Sequence, residues 1–471
     1  MEEKTPLSLA NLTSIEESTP LKLHNSNYSL MQRFGDRKPA DSMDDDLITS
    51  LSFDKTGNHL AVGDHAGRIV IFRLIPKFDE MFEDVTTDQF SSFYMSNCAT
   101  GRCTTSDKKF SASFEYDADA LEMATDFEFE YIHDFQSHEN DVDFLKNQQI
   151  PPQINNIKWL RQNGNELRLI SSNSKSIKLW KIKDIMKKDS LSFCGSSNFS
   201  SKLQQSFYKL HDYAINSVSI ATNEEIFLSS DDLKINLWDL NEPNKPYNLI
   251  NMTPIDLDDL SEVITSCNFH PTHDSLFVFG SSEGNIRIGD LRRNGVCDRN
   301  CQILKSNPNI YKDCEDYSVL VRSLSDCRFL LDDNKIVSRD YLNIFHWDIR
   351  KDRTPMQIIP IFEPLKTKLN YVFKNEQIFD QFSMALDPGQ KRILTGNYDA
   401  SFHLIDLENQ TNMKYKIMEG DNVSFSNLNK EEKKENFKSW NFENKIMKAD
   451  FHPKKKCFAV ACQNCLYLFK K

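Results

Sequence analysis

No uninterrupted apolar run comes near the roughly 18 residues that a membrane-crossing helix needs, and this 471-residue chain is expected to have no such span. Its opening stretch, MEEKTPLSLANLTSIEESTP, lacks the succession of basic leader, apolar core and small-residue cleavage site that marks a secretory signal. A soluble intracellular protein is expected, cytoplasmic and with the nucleus as a further compartment. A basic excess is missing too: 57 Lys and Arg stand against 69 Asp and Glu, a formal net charge of -12. That balance disfavours phosphate backbones and anionic membranes, and favours a basic protein surface as partner over nucleic acid.

The short signatures of catalysis are absent as well. There is no GxxxxGK[ST] phosphate cradle, no GxGxxG following a strand, no GxSxG nucleophile elbow and no HExxH metal pair. The 11 cysteines are scattered, and the tightest pair, CQNC at 462–465, has no second pair at zinc-site spacing. His65, His211, His270 and His452 lie too far apart to suggest a ligand cluster, and the FHP at 269–271 and 451–453 reads as a turn device. No catalytic residue, metal or cofactor is expected.

What the chain does have is one pattern repeated. A hydrophobic strand, a turn carrying Asp, Asn or Gly, and a short strand ending in an aromatic recur in LITSLSFDKTGNHLAVGDHAGRIVIFRL, INNIKWLRQNGNELRLISSNSKSIKLWKI, INSVSIATNEEIFLSSDDLKINLWDL and VITSCNFHPTHDSLFVFGSSEGNIRIGDL. Weaker copies start at VLVRSLSDCRFLL, IFDQFSMALD and IMKADFHPKK, which makes seven units. Gly57 and Gly67 mark turns in the first. Each unit implies four short strands, the outermost supplied by the sequence just before the next unit. Seven such sheets fit a closed ring better than an open sandwich, because closure covers edges that isolated sheets would expose. The fold class is therefore all-β, a seven-bladed β-propeller with WD40-like blades. Ile177, Leu179 and Trp180 in one blade, and Ile235, Leu237 and Trp238 in the next, are the candidate seam fillers. Residues 1–45 read as an N-terminal extension and 46–471 as the propeller, interrupted by insertions at about 76–130, 183–209 and 408–443. The last contains the charge cluster NKEEKKEN.

Two compatible roles are open for Asp231 and Asp232 in LSSDDLKINLWDL: bonding to nearby backbone N–H groups in a tight turn, or forming an acidic recognition spot. Adjacent side chains on an extended strand point apart, so an acid–base pair is disfavoured. Asp64, Asp340 and Asp399 occupy similar turns, and recurrence favours a structural rule, while several carboxylates at one end of the ring would select Lys or Arg on a partner. Leu260 follows Asp256, Asp258 and Asp259; a leucine on an acidic rim suits the apolar face of a short helix whose basic residues meet the acids, with ordinary loop packing as the alternative.

The segments FQSHENDVDFLKNQQIPPQINNIKWL, SKSIKLWKI, HDYAINSVSI, LSSDDLKINLWDL, LSEVITSCNFHP, GNIRIGDLR, VSRDYLNIFHWD, IFDQF and LTGNYDASFHLID occur in family order across nearly the whole chain. In them the chain resembles the B-type, 55-kilodalton-class regulatory subunits of protein phosphatase 2A. The resemblance implies a seven-bladed propeller that binds two partners, the helical-repeat scaffold A subunit, which holds the complex together, and the catalytic C subunit, to which it brings phosphoprotein substrates. It implies a recognition role for Asp232 and Leu260 on an acidic top face, with Asp231, Asp256, Asp258 and Asp259 beside them and Asp340 and Tyr341 on the neighbouring rim. His346 stands where the family has a basic residue and is counted with that rim. The stretch between KLWKI and HDYAINS is shorter than the family's scaffold-contacting hairpin, which leaves Phe207 and Tyr208 as the expected scaffold contacts.

Overall fold

The computed structural model describes residues 28–35, 44–76, 126–143, 147–162, 164, 166–185, 198–208, 210–293, 301–305, 307–351, 354–418, 422–427 and 442–471. Their strands form seven antiparallel sheets, six of four strands and one of five, and a separate two-stranded hairpin. Blade 1 is Ile48–Phe53, His59–Asp64, Arg68–Pro76 and Phe127–Gln136; blade 2 is Asn156–Trp159, Glu166–Ser172, Ile177–Ile185 and Asn198–Phe207. Blade 3 is Ser217–Ile220, Ile226–Ser230, Lys234–Asp239 and Tyr247–Asn251; blade 4 is Ile264–Phe269, Leu276–Ser281, Ile286–Asp290 and Gln302–Leu304. Blade 5 is Asp326–Phe329, Lys335–Arg339, Asn343–Asp348 and Gln357–Pro360, and blade 6 runs from Met384–Leu386 to a fifth strand, Val423–Asn427. In order from the axis outward, the strands of each blade are A, B, C and D.

Blade 7 takes Ile446–Phe451, Cys457–Cys462 and Cys465–Lys470 from the C-terminal end and its outer strand, Ser29–Phe34, from the other end. The stretch expected as an extension thus contains a strand of the ring. The expected insertions are corrected in the same way. Phe127–Gln136 and Asn198–Phe207 are the D strands of blades 1 and 2, and Thr411–Ile417 belongs to blade 6, because each completes a ladder with its C strand. Residues 77–125, 186–197 and the NKEEKKEN cluster lie outside the described residues.

Alternation along each strand sends successive side chains to opposite seams. Ile177 and Leu179 pack with Phe227 and Trp238 between blades 2 and 3, whereas Trp180 turns to Ile69, Ile71 and Phe135 between blades 1 and 2. Ile235 packs with Phe277 and Phe279 between blades 3 and 4. Burying each such side chain contributes about 1.5–3 kcal/mol, so the ring is held by its seams. Gly57 and Gly67 take φ values of +84° and +86°, and a Cβ at Gly57 would strike the His452 ring.

The A strands have no neighbour on the axial side, which would leave backbone groups unpaired. Short polar side chains carry hydrogen bonds from blade to blade instead. Asp450 Oδ2 accepts from Phe53 N at 2.9 Å, Ser217 and Ser219 accept from Cys267 N and Phe269 N, and Asp326 Oδ2 accepts from Met384 N. In the remaining junctions Thr49, Asn156, Asn268 and Ser383 donate to carbonyls of the next blade.

Candidate protein-recognition face

One end of the ring collects the turns between B and C strands and the connections from each D strand to the next A strand. The turn after Ile226–Ser230 shows why Asp231 is there. Its Oδ1 accepts from Leu233 N at 2.9 Å and Lys234 N at 2.6 Å, and its Oδ2 faces His211 Nδ1 at 2.9 Å. His211 Nε2 lies 2.6 Å from Ser229 Oγ, which accepts from Trp238 Nε1 at 2.7 Å. The polarity is continuous: indole to hydroxyl to imidazole to carboxylate. Burial raises the Asp231 pKa, but the hydrogen bonds from His211 and the two backbone N–H groups win and leave it below the ordinary value. Asp231 is fully buried and holds the turn; a partner cannot touch it.

Equivalent turns use the same device. Asp64 accepts from Arg68 N, Asn173 from Lys175 N and Ser176 N, and Asp340 from Leu342 N and Asn343 N. In blade 6 the position belongs to Asn397, not Asp399; Asp399 sits at φ +60° and pairs with Lys416. Asp340 also accepts from Tyr311 OH at 2.6 Å, and complete burial pushes its pKa up to about 6 against the pull of those donors.

The expectation that Asp340, Tyr341 and His346 form an accessible rim is corrected. Asp340 is 0% exposed and Tyr341 is buried against Phe362, its hydroxyl 3.0 Å from that of Tyr398. His346 lies inside strand C, paired across to Val337 and Gln357, and is buried. Phe207 is also core, wedged edge-on against Phe227 and Trp238, while Tyr208 is 56% exposed. Tyr208 follows a residue paired with Ile177, at the turn end of blade 2, so neither residue stands on the hairpin between strands C and D.

Asp232 and the Leu260 loop are brought together. Met252 N donates to Leu233 O at 2.8 Å and Ile264 N to Asp232 O at 2.7 Å, so the loop between them leaves and returns at the Asp232 turn. Its base is tied to blade 4 through Val263, which bonds Ser282, and through Glu262, which pairs with Arg287 and Asn285. Its tip exposes Asp256, Asp258 and Asp259 together with Ile255 and Leu260, the last at 40%. Asp232 is half-buried, and burial followed by the neighbouring Asp231 charge raises its pKa. Tyr213, on the D-to-A connection into blade 3, is also exposed.

Sequence reasoning missed a second surface. The D-to-A connections into blades 5 and 6 carry short helical turns, Pro308–Tyr317, Ser318–Val321, Glu363–Lys368, Leu369–Lys374 and Gln377–Phe379. They lie at the same end, since Tyr341 N bonds Val321 O and Ile361 N bonds Leu342 O. Val319, Tyr371, Phe373 and Phe379 are 41–58% exposed, and Phe373 lies between Tyr317 and Phe379 with centroid separations of 5.5 and 6.3 Å. The available signal was the aromatic density of NYVFKNEQIFDQF.

At the opposite end, His270, His273 and Asp333 approach one another closely enough to suggest a cation site. The protons argue otherwise. His270 Nδ1 accepts from Thr272 N and His273 N, so in the neutral ring Nε2 carries the hydrogen and has no lone pair for a metal. His452 repeats the arrangement with Lys454 N and Lys455 N, as expected of a turn device. Among the described residues no helix is long and apolar enough to cross a membrane.

Seven blades in a ring, six of four strands and one of five, with a buried Trp–Ser–His–Asp chain define a WD-repeat propeller, and the family profile WD domain, G-beta repeat matches residues 201–239. That match runs from the D strand of one blade through strand C of the next, the same offset that closes blade 7. The B regulatory subunit of protein phosphatase PP2A from Candida tropicalis is 30% identical over 443 residues, covering 87% of this chain and 77% of the relative. The PP2A 55 kDa regulatory subunit of Drosophila melanogaster is 28% identical over 520 residues, covering 99% and 95%, and the PP2A B regulatory subunit of Schizosaccharomyces pombe is 27% identical over 500, covering 94% and 98%. The chain belongs to the B-type, 55-kilodalton-class regulatory subunit family of protein phosphatase 2A. Its role is regulatory and substrate-targeting, and it is not itself the enzyme.

Proposed function

We propose that the turn end of the ring is the surface that captures substrates, while the propeller is held by the scaffold and catalytic subunits of the phosphatase. A basic or amphipathic segment of a phosphoprotein lays its cations along Asp232, Asp256, Asp258 and Asp259 and its apolar side chains on Leu260 and Ile255. The phosphorylated residue lies elsewhere on the same partner, so binding raises its effective concentration at the phosphatase active site and supplies no bond chemistry. The observation that carries this reading is the loop pinned at both ends to the Asp232 turn with its carboxylates and leucine presented outward. The exposed Phe373 and Phe379 extend the apolar part of the same end.

Contact with the scaffold is assigned to the opposite end. There the C–D hairpins of blades 1 and 2 run past their B strands: Ile75 pairs with Glu128, and Ile185 with Asn198, where no B-strand partner remains. This division leaves the acidic face free in the assembled complex. Asp232→Lys and Leu260→Ala, purified with endogenous partners, should retain scaffold and catalytic subunits in near-stoichiometric amounts and lose a subset of phosphoproteins. Unchanged phosphoprotein capture by both variants would reject the docking surface.

A further inference from the structure

The axis of the ring is lined by the A strands, and its charges are uneven. Immediately before the residue that ends each A strand stands a small or amide side chain in four blades, and Lys158, Arg328 and Asp450 in the other three. Two positions earlier the charged residues are Asp326 and Lys448. The flanking Ile157, Trp159, Cys327 and Phe329 are buried in the seams, and alternation turns Lys158 and Arg328 the other way. They share a register position with Ser219, Asn268 and Asp450, whose side chains bond the axial edges of neighbouring A strands.

Both carboxylates are engaged. Asp450 accepts from Phe53 N and Phe451 N; Asp326 accepts from Met384 N at 2.9 Å, Arg328 Nε at 3.1 Å and Asn268 Nδ2 at 3.3 Å. The ammonium groups of Lys158 and Lys448 have no such engagement: among the described residues neither Nζ makes a hydrogen bond or an ion pair. Both keep some accessible surface, yet burial is the first cause acting on each ammonium; for Lys448 the next is the attraction of Asp326, and for Lys158 the repulsion of Arg328 comes ahead of the attraction of Asp450 and Asp326. Accessible surface deep in a molecule describes a lumen. Burial and the Arg328 charge push Lys158 down to about 8, and burial also lowers Lys448. Three cations against two committed carboxylates leave an excess of one positive charge inside a chain whose net charge is -12.

We propose that this lumen binds a small tetrahedral oxyanion of the phosphate class, held by Lys158, Arg328 and Lys448 from the A strands of blades 2, 5 and 7. Cations reaching the axis from three directions suit an anion with several acceptor oxygens better than a planar carboxylate. A free ion also suits a lumen walled by backbone, since a phosphorylated side chain would have to bring its own chain in with it. The ion would bridge blades that share no seam, so its effect is on the ring as a whole and not on the acidic face.

The test is thermal unfolding of the full chain in a low-salt buffer free of oxyanions, titrated with inorganic phosphate against chloride at equal ionic strength. Phosphate is expected to raise the midpoint saturably, by about 3 °C at a hundredfold excess over Kd. Lys158→Met and Lys448→Met should each lose most of that rise, while the exposed Lys456→Met keeps it. An equal rise with chloride, the same rise in the lumen variants, or a rise given by a phosphoserine peptide and not by phosphate overturns the proposal. Because a lumen variant that fails to fold cannot be titrated, wild-type chain is also equilibrated with radiolabelled phosphate; about one ion per chain is expected, and none overturns the site.

Discussion

Asp231 and Asp232 are neighbours with opposite fates, and hydrogen bonds decide which goes where. The first residue of the turn must cap the N–H groups two and three positions on, so Asp231 turns inward and Asp232 is left facing the rim. Asp231→Ala would strand those donors and the His211 imidazole in the interior. It is expected to cost about 3 kcal/mol or more, read as a lower urea midpoint, whereas Asp232→Lys should stay within about 1 kcal/mol of wild type. Equal losses in the two variants would reject this division. Asp340 makes a pH prediction. Its folded pKa of about 6 lies above the ordinary 3.8, so the folded state holds the extra proton between those values. Stability from this group is therefore greatest in acid and falls as pH rises from about 4 to 6, by on the order of 2–3 kcal/mol. Measured against Asp340→Asn, wild type should lose relative stability as pH rises from about 4 to 6; a flat difference across that window would contradict the shift. The turns were legible in the letters SSDD and SRDY, but their alignment was the harder part. Setting SSDDL over SRDYL matches Asp340 with buried Asp231, not with Asp232, and matches Tyr341 with Asp232; counting acids alone does not reveal this.

Among the elements, the loop from Met252 to Ile264 is short, acidic and fixed at its base. Leu260 is exposed enough that Leu260→Ala should cost under about 0.5 kcal/mol, so any loss of capture belongs to contact and not to folding. Glu262 acts differently: it is buried, pairs with Arg287 and receives Asn285, both in blade 4. Glu262→Ala is expected to cost about 1–3 kcal/mol by leaving Arg287 unpaired and to reduce phosphoprotein capture although every tip residue remains. Retained capture with the expected loss of stability would mean that the tip works without its anchor. This loop was readable in PIDLDDLSEVITS because acids and a leucine were set between two recognisable strands. The helical connection into blade 6 was not. Its turns are one or two windings long, too short to show a 3.6-residue period, and IFDQF reads in the sequence as the start of a strand unit although Gln377–Phe379 is a helical turn.

At the scale of the molecule, the ring closes where its two ends meet. Ser29–Phe34 pairs with Leu466–Lys470, Phe34 reaches Phe72 across the seam to blade 1 with ring centroids 4.6 Å apart, and Tyr28 packs on Phe458 at 4.9 Å. Gln32 adds a two-way bond with the backbone of Phe129, so the strand is tied to the D strand of blade 1 as well. The repeat grammar predicted that each outermost strand comes just before the next unit, but not that the one completing blade 7 lay within residues 1–45, because SLMQRF is a single strand with no second strand beside it in the sequence to announce a unit. Deleting residues 1–34 would expose the edge of Cys465–Lys470 and remove two buried aromatics, about 4 kcal/mol from burial alone, and should lower the unfolding midpoint by about 4 °C with aggregation through the open edge. A circular permutant that joins residue 471 to residue 28 through a short linker and opens within 77–125 keeps every strand among the described residues and should unfold near the wild-type temperature. If the truncated chain were as stable as the permutant, closure by the N-terminal strand would not be what holds the ring, and the acidic face would have to be kept in place by its local turns alone.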